Sequence, residues 1–179
     1  MRRPIPSLPS HRRRWAAPLL YAALACANPA LAAVKDGDAW GDWKAACPAP
    51  KDGGKPHCYI FQNIAAEKTG ARVLHIAVGR VAAQGGKPAA ILTLPLGLSL
   101  PPGITLVIEG HKPQKLPYDV CVTEGCKTGL PLDDKTLTAM RKAYKGHVLL
   151  TEPGGQQVRV GFSLNGFATA FDALSGVSP

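Results

Sequence analysis

Cysteines, histidines and paired acids are the residues of this 179-residue chain that could carry chemistry. Four of the five cysteines form two local pairs, Cys47 with Cys58 and Cys121 with Cys126, an even set that an oxidising compartment would close as disulfides. Four cysteines allow three connectivities. The local one is favoured because near neighbours in adjacent strand segments close first, each loop removing roughly 2 to 3 kcal/mol of unfolded-chain entropy. Zinc is the competing chemistry. The spacings C-x10-C and C-x4-C match neither a knuckle nor a finger, and the chain has no C-x-x-C redox motif.

The other candidates have structural explanations. His57, His75, His111 and His147 lie neither at i, i+4 spacing nor in an H-E-x-x-H frame. His75, set among apolar neighbours, reads as a partly buried, hydrogen-bonded side chain. Asp133 and Asp134 are adjacent, whereas glycoside chemistry needs two acids flanking a bond, roughly 5 to 10 Å apart. They fit a helix cap instead. No serine sits in a G-x-S-x-G elbow, Ser99 has no base near it in sequence, and no phosphate-cradling glycine loop is present. The expectation is therefore no catalytic set, no metal site and no cofactor.

The most unusual segment runs from Leu94 to Gly103, nearly all apolar yet broken by Pro95, Pro101 and Pro102 and by two glycines. It cannot be a helix, and its prolines remove ladder donors, so it should leave one strand, cross over and start the next at Ile104. Two readings stand. The leucines plug one end of a sandwich, or Leu96, Leu98, Leu100, Pro101 and Pro102 form an exposed apolar loop that binds a partner.

Positioning these residues begins with the leader. Arg2, Arg3, Arg12, Arg13 and Arg14 precede an apolar stretch from Trp15 to Ala27 and small residues at Ala30-Leu31-Ala32. That order is a secretory signal, residues 1–32, with cleavage after Ala32. The apolar run is shorter than the roughly 20 residues needed to span a bilayer, so no transmembrane span is expected after cleavage. Cys26 follows Ala23-Leu24-Ala25, a partial lipoprotein box whose leucine is one place late, so acylation there is the weaker alternative. Arg12-Arg13 also resembles a twin-arginine signal, a dipeptide that any basic leader can contain.

Formal charge is +9, but five of the 21 Lys and Arg residues lie in the leader and all 12 acids beyond it, which leaves the remainder at about +4. That surplus is spread without a basic run or a stripe interleaved with aromatics, and nucleic acid is not an expected partner.

Residues 33–179 read as a single all-β domain. Alternation is clearest in Val158 to Leu164, and recurs in Ile104 to Glu109 with Ile104, Leu106 and Ile108 inward, and in Tyr118 to Thr123 with Tyr118, Val120 and Val122 inward. Further strands are expected at Trp40 to Cys47, His57 to Ile64, Arg72 to Arg80, Ala89 to Leu94 and His147 to Thr151, separated by Gly- and Pro-rich turns. About eight short strands indicate an antiparallel sandwich or barrel. One short helix is predicted over residues 135–145, capped by Asp133 or Asp134, with Leu137, Met140 and Tyr144 as its buried stripe.

The 94–103 segment followed by Ile104 to Glu109 resembles the invasion-associated locus B family of bacterial envelope proteins. Trp40-Gly41-Asp42-Trp43 leading to Cys47, Cys58-Tyr59-Ile60-Phe61-Gln62, Tyr118 through Cys121 to Gly125-Cys126, and Pro131-Leu132-Asp133 are similar to its landmarks. So are Leu164-Asn165-Gly166-Phe167 and Phe171-Asp172-Ala173-Leu174. The resemblance implies an immunoglobulin-like antiparallel β-sandwich, both local disulfides, and a periplasmic or outer-envelope address, or secretion. It also implies a link to host-cell invasion in some members, and supplies no catalytic residues. The function expected is a non-enzymatic exported protein that binds an unknown protein or envelope component. A structural or stress-related envelope component, and an enzyme with an unfamiliar site, are the alternatives.

Overall fold

The computed structural model describes residues 33–50, 53 and 56–176. The leader over residues 1–32 and Cys26 lie outside them. Eleven strands are described: β1 (Ala39–Trp40), β2 (Trp43–Ala46), β3 (Tyr59–Ala65), β4 (Arg72–Val81), β5 (Lys87–Leu94), β6 (Ile104–Ile108), β7 (Gln114–Leu116), β8 (Val120–Val122), β9 (Gly125–Pro131), β10 (Lys145–Thr151) and β11 (Gln157–Ser163). They form a seven-stranded sheet ordered β1-β2-β3-β4-β5-β9-β8 and a four-stranded sheet ordered β11-β10-β6-β7, antiparallel throughout. Two short helices, α1 (Asp134–Lys142) and α2 (Phe167–Ala173), complete the fold.

Alternation decides which face of each strand is buried. Ile60, Leu74, Ile76, Val78, Ala90 and Leu92 point inward from the larger sheet. They meet Ile104, Leu106, Ile108, Val148, Val160 and Phe162 from the smaller one in a single core. This is the predicted two-sheet antiparallel sandwich, immunoglobulin-like in packing two sheets over one core.

One end of the core is aromatic. Trp43 and Phe167 are fully buried and meet edge to face at 5.2 Å, and Phe171 stacks on Phe167 at 5.8 Å. The Trp43 indole N–H donates to the Ser163 carbonyl at 3.1 Å, so this large ring leaves no orphaned donor. Helix α2 was not predicted. Its Phe167, Ala170, Phe171 and Leu174 repeat at helical spacing and are all buried. Its cap, Gly166, adopts φ 84, and a Cβ there would collide with the Trp40 carbonyl of the β1–β2 turn.

Three expectations are corrected. The helix predicted over 135–145 stops at Lys142, because Ala143 turns extended (ψ 155) and leads the chain straight into β10. Tyr144 therefore leaves the predicted buried stripe and is 81% exposed. Asp133 is the cap, its side chain accepting from the Thr136 N–H at 2.7 Å. The strand predicted over Tyr118 to Thr123 shortens to β8, a sheet edge whose Val120 and Val122 are exposed rather than inward, because no layer of the described residues covers that face. Finally, β9 was not predicted. It carries Gly129 and Pro131, yet it pairs with both β5 and β8 inside the sheet.

Candidate functional site

Both local cysteine pairs are bonded, Cys47 to Cys58 and Cys121 to Cys126. The first joins the ends of β2 and β3, one step beyond the Ala46 and Tyr59 pair, and the second links directly opposed residues of β8 and β9. Both staple the seven-stranded sheet, near its two edges. Among the described residues no group of three or more His, Cys, Asp or Glu side chains is arranged to hold a metal ion.

The strands between the staples present an unusual outer face. Paired residues share a face of a sheet, so the register builds this surface row by row. Tyr59 stands opposite Gly79 and Gly79 opposite Ala89; Phe61 opposite Ala77 and Ala77 opposite Ile91; Asn63 opposite His75, His75 opposite Thr93, and Thr93 opposite Lys127. Small residues make a floor and aromatic rings a wall. The result is an open trough of about 360 Å³ lined by Tyr59, His75, Ala77, Gly79, Ala89 and Ile91. Phe61 lies 6.2 Å from Tyr59 and 5.6 Å from His75, ring centre to ring centre. Ile91 is 50% exposed, and Val120, opposite Lys127, extends the apolar surface onto β8.

Charge on this face is mostly positive. Lys44 stands opposite Phe61, Lys87 shares the outward positions of β5 with Ile91, and Lys127 borders the trough. Asp119 is the neighbouring acid, and it accepts from the Gly129 N–H at 2.6 Å. The Asn63 side-chain oxygen accepts from His75 Nδ1 at 2.8 Å. Burial, and secondarily the Arg72 guanidinium, hold the His75 ring below the ordinary histidine pKa, so it faces the trough neutral at neutral pH.

The 94–103 segment divides its leucines. Leu94 is buried and Leu98 packs half-buried against the core, whereas Leu96 is 55% and Leu100 44% exposed, and Pro101 and Pro102 are exposed. Plugging describes Leu94 and Leu98 only. The Ser99 N–H donates to the Thr151 carbonyl at 2.9 Å, which ties the segment to β10.

Sequence reasoning missed the outer face of the larger sheet because alternation reports the buried side and passes over small outward residues. The signal was present in another form. Tyr59-Ile60-Phe61, Val73-Leu74 with Ile76-Ala77-Val78, and Ala89-Ala90-Ile91-Leu92 are apolar on both faces of their strands. Such runs belong to strands covered on both sides, yet in a two-layer sandwich one side stays open.

Fold and site together define a disulfide-stapled antiparallel β-sandwich with an apolar sheet face left open by the described residues. Residues 43–175 match the family described as "Invasion associated locus B (IalB) protein", and the chain belongs to that family. It is 30% identical over 138 residues to an invasion protein B homologue of Brucella abortus (strain 2308), covering 76% of this chain and 78% of the relative. An invasion protein B homologue of Brucella abortus biovar 1 (strain 9-941) aligns with the same identity and coverage. The fold is similar to the crystal structure of invasion associated protein B from Bartonella henselae, with a TM-score of 0.68 and 22% identity over 77% of this chain and 93% of that one.

Proposed function

We propose that the protein is exported, loses residues 1–32 after Ala32 without acylation at Cys26, and acts from the periplasm or outer envelope as a non-enzymatic binding protein. Its partner is an envelope or host-surface protein that presents an apolar ridge flanked by acids. The observation that carries this is the uncovered trough of the seven-stranded sheet, because contiguous exposed apolar surface marks interaction sites and lysines at Lys44, Lys87 and Lys127 select for negative charge. The leader and the two disulfides support the address, since such bonds persist in oxidising compartments. The relatives named for invasion support a host-surface or envelope partner.

The test uses protein purified from the periplasm after export, whose mass should begin at Ala33. Wild type and Ile91→Glu are immobilised and exposed to envelope and host-cell surface fractions at two salt concentrations. A protein retained by wild type, released by salt and lost on Ile91→Glu is the expected result. Equal retention by the two forms would discard the sheet face as the binding surface.

A further inference from the structure

On a different surface, Tyr144 is the most exposed large hydrophobic side chain among the described residues, although its backbone is fixed: its carbonyl accepts from the Leu164 N–H at 2.9 Å. It borders an open groove of about 560 Å³ shared with Asp42, Lys145 and Ser163. The polar lining of the groove is held by hydrogen bonds. Gln62 is 8% exposed, and its amide donates to the Asp42 carbonyl at 3.1 Å and accepts from the Ser163 N–H at 2.9 Å. The Ser163 hydroxyl in turn donates to one Asp42 carboxylate oxygen at 2.6 Å and accepts from the Asn165 N–H at 3.1 Å. One carboxylate oxygen is thus held in place, while the other has no hydrogen-bond partner among the described residues.

The floor is bare as well. Gly161 places no side chain on the outer face, and a Cβ there would find its nearest neighbour only at 4.0 Å. Over it the groove continues to Glu109, His147 and Arg159, where an Arg159 N–H donates to His147 Nε2 at 2.9 Å. An aromatic ring fixed at its backbone, a positioned acceptor and donors at Lys145 and Arg159 stand round a shallow open floor, with Ile64 and Phe162 also in the lining. They suit a ligand with C–H groups on its faces and hydroxyls round its edge. The negative face of an aromatic ring attracts such C–H groups, and tyrosine offers that surface at small entropic cost.

We infer that this groove is a carbohydrate-binding site, in which Tyr144 stacks against one pyranose ring while Asp42 and Lys145 take its hydroxyls. It stands apart from the sheet-face trough and does not depend on it. The sugar has two sources, the bacterium's own envelope polysaccharide or the glycans of a host surface. The experiment presents the exported protein with both: lipopolysaccharide core oligosaccharides and peptidoglycan glycan strands in one arm, mammalian N-glycans and glycolipid head-group glycans in the other. Saturable retention in at least one arm is expected, weakened by at least about tenfold in Tyr144→Ala and in Asp42→Asn. Tyr144→Phe keeps the ring and should retain most of the binding. Thermal melting of each variant confirms folding, and the exposed Tyr144 makes Tyr144→Ala the safer of the two. No retention in either arm, or retention indifferent to Tyr144→Ala, would overturn the proposal.

Discussion

At the scale of single residues, His75 is the group whose surroundings make a measurable demand. Burial first and the Arg72 guanidinium second lower its pKa from 6.5, and His147 is lowered likewise, by burial and then by Arg159. Below pH 6.5 the unfolded chain therefore takes up protons that the folded chain refuses. Stability must fall as pH drops through the interval between 6.5 and the lowered folded values, and is fully present above it. Asp133 and Asp172, held below 3.8 by the Thr136 hydrogen bonds and by Arg141 respectively, contribute stability that is lost only at more acid pH. Replacing His75 with glutamine keeps a donor for Asn63 and removes the titration. Between about pH 7.5 and pH 5.5, the urea midpoint should fall less in His75→Gln than in wild type. Equal losses would show that His75 does not carry the slope. That His75 is a partly buried, hydrogen-bonded strand residue was legible in the sequence. Its aromatic neighbours were not, because Phe61 comes from another strand.

Among elements, the 94–103 segment shows how far local pattern reaches. Its prolines and glycines announced a non-helical crossover, and the chain does pass there from β5 to β6 in the other sheet. Which leucines face inward depends on the local turn in which the Gly103 N–H donates to the Leu100 carbonyl at 2.9 Å, and on the tie from Ser99 to Thr151, a long-range fact that no spacing encodes. Leu98→Ser should cost roughly 1–2 kcal/mol in urea denaturation, since a half-buried leucine forfeits part of its transfer free energy. Leu100→Ser should cost less than about 0.5 kcal/mol, as exposed positions do. Comparable losses at both would mean that the whole segment is core. The same limit explains the other misses. Strands with clean alternation, β6 and β11 above all, were recognised, while β9, whose pattern Gly129 and Pro131 interrupt, was not. The helix end was lost because Ala143 is a good helix former, and only the pairing of β10 with its neighbours draws it into an extended backbone.

Across the whole molecule, the two disulfides act on one sheet in different ways. The partition of strands into seven and four was not legible, because β6 and β7 leave for the second layer between β5 and its partner β9. The pairing of cysteines was legible, because both links are local: they close separations of 11 and 5 residues. Loop-closure entropy then predicts a loss of about 2–3 kcal/mol for removing either bridge, with the longer loop costing about 0.7 kcal/mol more. Alanine is the suitable replacement, since Cys126 is 2% exposed and a serine hydroxyl there would add a desolvation cost. Cys47→Ala with Cys58→Ala should therefore lower the urea midpoint more than Cys121→Ala with Cys126→Ala. Their positions sharpen the contrast. The β2–β3 bridge is half-buried and packs against the core at the end of β2 away from Trp43, whereas the β8–β9 bridge holds a three-residue edge strand whose valines are exposed. Loss of the second should loosen β8 locally, seen as faster amide exchange at Val122, and leave the core protected. If instead the shorter bridge proved the more costly, loop entropy would not be the source of the stabilisation, and β8 would have to be holding the sheet together through β9.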